Sequence, residues 1–119
     1  MKAQQPPTFT PEIQEIAALA KALGHPARVA IVRQLLSRPG CTCGELVVEL
    51  LPSRSTISQH LRELTAVGLV ANKATGARAC YQLVPTRWQQ ARQLLMGLIE
   101  LAQRQFVSAS YKTVFRQKR

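Results

Sequence analysis

Apolar residues recur at helical spacing in three long stretches of the chain, and Pro, Gly and hydroxyl residues bound each stretch. The first begins at Pro11, with Thr10 as its N-cap, and Gly24 ends it. The second runs up to the Pro-Gly pair at residues 39–40. The last begins after Pro85 and has a continuous apolar stripe. That stripe consists of Trp88, Ala91, Leu94, Leu95, Leu98, Ile99, Ala102 and Phe106.

Two shorter helical stretches lie between the second and the last of these. Thr42 and Glu45 have the spacing of a capping box, which predicts a short third helix over residues 43–51. A proline then breaks the chain, and Ser53 is the predicted N-cap of a fourth helix that ends at Gly68. Two short helices joined by a tight break have the spacing of a helix-turn-helix.

Two β-like runs, residues 69–74 and 79–84, follow the fourth helix and are joined by a short connection that contains Gly76. Such a glycine between two alternating runs is typical of a hairpin. The predicted order is therefore four helices, two strands and a fifth helix. We expect a mainly α fold with a small β-hairpin, a winged helix-turn-helix in which the hairpin is the wing.

The chain is long enough for one domain with a modest core, since it has 119 residues of which 46% are hydrophobic. No internal repeat or second domain is visible. We predict a single domain over residues 11–106. A flexible N-terminal arm, residues 1–10, precedes it, and a basic C-terminal tail, residues 107–119, follows it.

The charge balance is strongly basic. Sixteen Lys and Arg face six acids, all of them Glu, for a net charge of +10. Such an excess suits a polyanion, either nucleic acid or an anionic membrane surface, although a basic protein without such a partner has the same composition. No run approaches the roughly 20 apolar residues of a membrane span, and the first residues have no apolar signal core. We therefore expect a cytoplasmic protein without a membrane partner.

The fourth helix has two chemically different faces. Its predicted core side holds Ile57, Leu61 and Leu64, because these residues share a narrow sector at about 100° per residue. Hydroxyl, amide and guanidinium groups occupy the far side, and such groups can bind phosphates and base edges. The residues of that side are Ser55, Ser58, Gln59 and Arg62. A capped amphipathic helix that faces water is the alternative; the preceding short helix, the hairpin and the charge favour DNA.

Catalysis is not predicted, because no nucleophile lies at a plausible spacing from a base and no Gly-rich phosphate loop is present. His60 falls at the flank of the buried sector, which favours a packing or hydrogen-bonding histidine over a metal ligand. His25 precedes a proline in a break and is interpreted as a turn residue. The sequence therefore predicts a DNA-binding protein rather than an enzyme, either a sequence-specific one or, alternatively, a non-specific architectural one.

Three segments of the chain resemble the ArsR family of bacterial repressors. They are the L-G-H-P-x-R run that starts at Leu23, the S-x-x-S-x-H-L run that starts at Ser55, and the G-L-V run at Gly68. The resemblance covers residues 19–83. It implies a winged-helix homodimer that binds a double-stranded operator with an inverted repeat, and many such repressors leave the operator when an inducer binds.

The resemblance also implies which residues do what. The fourth helix would enter the major groove, and the wing would contact DNA through Lys73 and Arg78. The first and fifth helices would pair across the two-fold axis, so the apolar stripe would form a dimer seam; a purely internal core is the alternative. The implied DNA-facing residues of the fourth helix are Ser53, Arg54, Ser55, Thr56, Ser58, Gln59 and Arg62.

Cys41 and Cys43 match the two cysteines of the C-x-C-D-L box of arsenic and cadmium sensors in this family. Thiolates suit soft ions such as As(III), Cd(II) or Cu(I). Cys80 is a weaker third candidate, because it lies on the second predicted strand, where alternation places its side chain on the other face from that of Tyr81. Val47 stands near the place where some arsenic sensors have a third cysteine, and the fifth helix lacks the His and Asp of the family's zinc site.

Three interpretations of the cysteines stay open from the sequence. They form a site for a thiophilic metal or metalloid inducer, or a thiol redox or persulfide switch, or they are structural. An odd number of cysteines argues against a disulfide framework. No cofactor other than such an inducer is predicted.

Overall fold

The computed structural model describes residues 8–40, 42–50, 53–75 and 78–106. These residues form helices and a hairpin in the predicted order, so the predicted fold class is confirmed. The elements are α1 (Pro11–Ala22), α2 (Pro26–Ser37), α3 (Cys43–Leu50), α4 (Arg54–Ala66), β1 (Val70–Thr75), β2 (Arg78–Leu83) and α5 (Pro85–Phe106). Most of the predicted arm and all of the predicted tail lie outside the described residues, and the division into arm, domain and tail stays a prediction.

Side chains cap the N-termini of α1, α3 and α4. Thr10 Oγ1 accepts a hydrogen bond from the backbone N–H of Ile13 at 3.2 Å, and Ser53 Oγ accepts one from Thr56 at 3.2 Å. The capping box is reciprocal: the Glu45 carboxylate accepts from the Thr42 N–H at 2.8 Å, and the Thr42 hydroxyl accepts from the Glu45 N–H at 3.3 Å. Each contact satisfies an N–H that has no partner within its helix, which confirms the predicted caps.

The core lies where the inner faces of α1 to α4 meet β1 and the start of α5. Its largest fully buried side chains are Leu19, Ile31, Leu35, Leu46, Ile57, Leu61, Leu64, Leu69 and Val70. The predicted inner face of α4 is confirmed, because Ile57, Leu61 and Leu64 are at most 1% exposed. Burial of this row fixes which face α4 turns outward.

The exit of α4 is a Schellman motif. Gly68 adopts a φ of 82°, a left-handed conformation that costs glycine little because it has no Cβ. Its N–H donates to the Thr65 carbonyl at 2.9 Å, and the Leu69 N–H donates to the Leu64 carbonyl at 3.1 Å. The Trp88 indole of α5 then donates to the Leu69 carbonyl at 3.0 Å. The end of α4 and the start of α5 are therefore joined directly.

The hairpin is antiparallel, with Val70 opposite Leu83 and Lys73 opposite Cys80. Tyr81 and Leu83 pack against the core from β2. The alternation predicted for β2 therefore holds, and Cys80 belongs to the opposite set of side chains. The wing is therefore anchored to the core through one face, while Lys73 and Gln82 on the other face are exposed.

Helix α5 packs against the core only in its first half. Ala91 is buried there, and Trp88 and Leu94 pack beside it. Farther along, the apolar side chains are 41–55% exposed: Leu98, Ile99, Leu101 and Phe106. A purely internal core therefore does not account for the whole stripe in the single chain.

Candidate nucleic-acid interface

The outer face of α4 carries the polar residues that the sequence singled out. Gln59 and Arg62 are both exposed, and the Arg62 Nη2 donates to the Gln59 Oε1 at 3.2 Å. Ser58 is half-buried at the edge of this face. Because the opposite side of the helix is buried in the core, its packing fixes the rotation of α4 and keeps Gln59 and Arg62 on the exposed side. An amide and a guanidinium in such a place can read adenine and guanine edges.

Three hydroxyls cluster at the start of α4. The Ser53 hydroxyl lies 3.1 Å from that of Ser55 and 2.9 Å from that of Thr56, and all three residues are exposed. Ser53 also caps the helix through the Thr56 N–H. The cluster therefore has a local structural function, and its exposed hydroxyls are available to phosphate oxygens as well.

Arg54 lies against the first turn of α3. Its Nη2 is 2.9 Å from the place that a Cβ on Gly44 would occupy, so the absence of a side chain at Gly44 makes room for the guanidinium. The Cys43 thiol contacts the Arg54 carbonyl, with Sγ 3.7 Å from the oxygen. Arg54, which is predicted to face DNA, and Cys43, which is predicted to bind an inducer, are thus in direct contact.

A cavity of about 530 Å³ separates the start of α3 from the wing. It is lined by Thr42, Cys43, Gly44, Glu45, Arg54, Arg78 and Ala79. The backbone N–H of Thr42 lowers the pKa of the Glu45 carboxyl, and the charges of Arg38 and Arg78 lower it further. The Glu45 carboxylate therefore stays ionised beside the arginines. Lys73 is exposed on β1, as Arg78 is on β2, so both predicted wing residues are exposed near the ends where β1 stops and β2 starts.

The cysteines do not form a complete metal site among the described residues. Cys43 and Cys80 are half-buried free thiols, and Cys41 lies outside the described part of the chain. Within that part, no group of three or more His, Cys, Asp or Glu side chains is arranged to hold a metal ion. A site that includes Cys41 therefore stays a prediction, with Cys80 as its weaker third candidate.

His60 links α4 to the junction of α1 and α2. It is 7% exposed, and its Nδ1 accepts a hydrogen bond from the Arg28 Nε at 3.1 Å. The centroid of the His25 ring lies 4.5 Å from that of His60. Arg28 also donates to the carbonyls of Lys21 and Ala22 at 3.3 and 3.4 Å. His60 is thus a hydrogen-bonded buried histidine, as predicted, although the sequence did not identify Arg28 as its partner.

Neighbouring charges affect His60, and His25 beside it has a second function. Burial lowers the pKa of His60, the charges of His25 and Arg28 lower it further, and Glu63 opposes them. His25 was interpreted as a turn residue; it is also the N-cap of α2, because its Nδ1 accepts from the Ala27 N–H at 3.0 Å. Two of the sequence segments noted above, L-G-H-P-x-R and S-x-x-S-x-H-L, therefore meet in space.

Comparison with known proteins agrees with this architecture. Residues 23–71 match a family described as a helix-turn-helix domain. The HTH-type transcriptional regulator YgaV of Escherichia coli (strain K12) is 36% identical over 70 residues, which cover 59% of this chain and 71% of that protein. The HTH-type transcriptional repressor SmtB of Mycobacterium tuberculosis is 39% identical over 82 residues, which cover 65% of this chain and 60% of SmtB. The chain belongs to the ArsR/SmtB family of transcriptional regulators.

Solved structures of ArsR-type proteins superimpose on the chain. An ArsR-like transcriptional regulator from Rhodococcus sp. RHA1 matches with a TM-score of 0.70 and 25% identity, covering 88% of this chain and 96% of that one. A protein described as a possible transcriptional regulator for arsenical resistance matches with a TM-score of 0.59 and 29% identity, covering 82% and 92%. The chain is therefore an ArsR/SmtB-type DNA-binding repressor, and the named members of the family are regulators rather than enzymes. No helix among its described residues has the length and apolarity to cross a membrane.

Proposed function

We propose that this ArsR/SmtB protein is a homodimeric, sequence-specific repressor that inserts α4 into the major groove at each half of an inverted-repeat operator. The observation that carries the proposal is the geometry of α4. Its apolar row is at most 1% exposed, so its rotation is fixed, and Gln59 and Arg62 are exposed on the other side. A rigid helix that presents an amide and a guanidinium is suited to base readout.

The wing and the hydroxyl cluster would contact the DNA backbone. Lys73 and Arg78 are exposed near the ends where β1 stops and β2 starts, and Ser55 and Thr56 are exposed at the start of α4. Cations and hydroxyls bind phosphates regardless of sequence, so these residues fix the position of the protein on the duplex. Base readout would then fall to Gln59 and Arg62.

The second copy would cover the exposed apolar surfaces of α1 and α5. Ile13 on α1 is 50% exposed, and the exposed stripe of α5 extends from Leu98 to Phe106. Contiguous exposed apolar surface marks an interaction site. A two-fold pair of recognition helices requires a two-fold related pair of half-sites, which is the reason for an inverted repeat.

Selection of tight-binding duplexes from random DNA tests this function. We expect an inverted repeat whose half-sites are about 10 base pairs apart from centre to centre, or a multiple of that distance. We also expect the logarithm of the binding constant to fall steeply as the logarithm of salt concentration rises. Enrichment of no motif, with equal affinity for selected and random DNA, would identify an architectural binder and refute the proposal.

We further propose that a thiophilic ion bound at Cys41 and Cys43 releases the operator. The support is the contact between the Cys43 thiol and the Arg54 backbone, because a ligand on that sulfur would have to share space with the start of α4. Soft ions such as As(III) prefer thiolate ligands. Cys41 would supply the second sulfur, and Cys80 is the weaker third candidate.

Titration of a preformed operator complex tests the release. As(III), Cd(II), Zn(II) and a persulfide donor would be added in turn to the wild type and to Cys41→Ser, Cys43→Ser and Cys80→Ser. We expect As(III) to weaken operator binding by roughly 5- to 150-fold in the wild type and Cys80→Ser, but not in the other two variants. Release by the persulfide donor alone would instead identify a redox switch. Indifference of every protein to all four reagents would leave the cysteines structural.

A further inference from the structure

One arginine side chain connects three elements at the exit of the recognition helix. The Arg87 Nε donates to the Val67 carbonyl, the C-cap of α4, at 2.8 Å. The Arg87 Nη1 lies 2.7 Å from the Glu15 Oε2 on α1 and donates to the Gln90 Oε1 on α5 at 2.9 Å. The same guanidinium therefore links α1, the end of α4 and the first turns of α5.

The geometry of this junction is restrictive. A guanidinium is planar, so the Nε and Nη1 donors point in fixed directions relative to one another. The Arg87 side chain is 19% exposed, and its Cγ lies 3.4 Å from where a Cβ on Gly68 would stand. A cation beside the last carbonyls of α4 also complements the negative end of that helix. Lysine has the charge, but its three donors share a single nitrogen, so it cannot reproduce the spaced and fixed directions of the Nε and Nη1 donors.

We propose that Arg87 is a positioning residue for operator binding, which sets the angle of the recognition helix relative to the helices of the dimer seam. The inference rests on the proposed dimer and adds a specific determinant of half-site spacing to it. Arg87 itself contacts no base. It acts through the Val67 carbonyl on one side and the Glu15 carboxylate on the other.

The length of α4 makes its angle important. Its 13 residues span about 20 Å at 1.5 Å per residue. A tilt of about 10° at its exit would therefore move its first turn by roughly 3 Å, which is close to the 3.4 Å between successive base pairs. Arg54 and the hydroxyl cluster lie at that moving end. Loss of the Arg87 contacts should thus blur which spacing of half-sites fits best.

The test measures Kd for a set of duplexes that carry the selected half-sites at the preferred spacing and at spacings changed by one and two base pairs. The proteins are wild type, Arg87→Lys, Glu15→Gln and, as a control on the same helix, Arg92→Lys, whose side chain is exposed. We expect Arg87→Lys to bind the preferred spacing about tenfold more weakly and to lose most of the preference over the neighbouring spacings. Glu15→Gln should change both quantities in the same direction, by less.

A purely structural function of Arg87 gives a different result. Arg87→Lys would then lose the same factor at every spacing, in step with a lower Tm, and the proposal would be overturned. Glu15→Gln guards against misfolding, because it keeps the size of a partly exposed side chain. Failure of the wild type to select any repeat would refute the proposed function. A normal repeat with an unchanged spacing profile in both variants would refute only the assignment of Arg87.

Discussion

Replacement of Arg62 or Gln59 with alanine is expected to weaken binding to the selected operator by roughly 1–3 kcal/mol, or about 5- to 150-fold in Kd. The reason is that each side chain would lose its contacts to a base edge while the scaffold stays intact, because both residues are exposed and outside the core. Binding competition against operators with single base changes measures the second expected effect, a relaxed preference at the contacted positions.

Two controls separate base readout from charge. Lys73→Ala should weaken binding to all sequences by a similar factor and reduce the salt slope by about one, since a wing lysine would contact phosphate. Arg33→Ala removes an exposed charge from α2 and should preserve the sequence preference. The Arg62–Gln59 hydrogen bond predicts that the double variant loses less than the sum of the single losses. If Gln59→Ala and Arg62→Ala both bound every sequence as the wild type does, α4 would be excluded as the surface that contacts the bases.

Acidification from about pH 7.5 to 5.5 is expected to destabilise the fold through His60. Its folded pKa is lowered from the usual value of 6.5, so the unfolded chain binds more protons between the two values. The contribution of His60 to stability is therefore present above pH 6.5 and is lost as the pH falls from there through the lowered pKa. Protonation would also prevent the His60 Nδ1 from accepting the Arg28 hydrogen bond. One such group contributes a slope of at most about 1.4 kcal/mol per pH unit.

Denaturant unfolding across this pH range measures the effect. His60→Ala should lower the free energy of unfolding by roughly 1–3 kcal/mol at neutral pH, because the Arg28 Nε would lose a buried acceptor. His60→Asn has an amide oxygen in place of Nδ1 and does not titrate, so its profile should be flatter than that of the wild type. The charges of His25 and Arg28 disfavour protonation of His60, and the charge of Glu63 favours it. His25→Asn retains a capping side chain for α2 and therefore serves as the control for the second imidazole ring. An equally steep profile in His60→Asn would contradict the assignment.

The sequence was sufficient for the elements and for the orientation of α4. Capping residues such as Thr10 and Ser53 act within three residues, and the row of Ile57 and its neighbours follows helical periodicity. Gly68 identified the helix end because a left-handed residue there favours glycine. Such signals are local, so they can be read from the order of residues alone.

The long-range polar contacts were not predictable in the same way. Arg28 and His60 are 32 residues apart, and Arg87 and Val67 are 20 apart, with no periodicity that joins them. Apolar spacing on α5 also could not separate core from seam, since both require the same residue types. Only the packing shows that the stripe is buried at Ala91 and exposed from Leu98 onward.

Trp88 is the only tryptophan of the protein, and its indole N–H donates to the Leu69 carbonyl just after Gly68. Its fluorescence therefore arises at the place where the recognition helix ends and the last helix begins. The unlabelled protein carries an optical reporter of that junction, sensitive to the polarity around a half-buried ring. A change in the packing of the junction between α4 and α5 should therefore change the emission of this one ring.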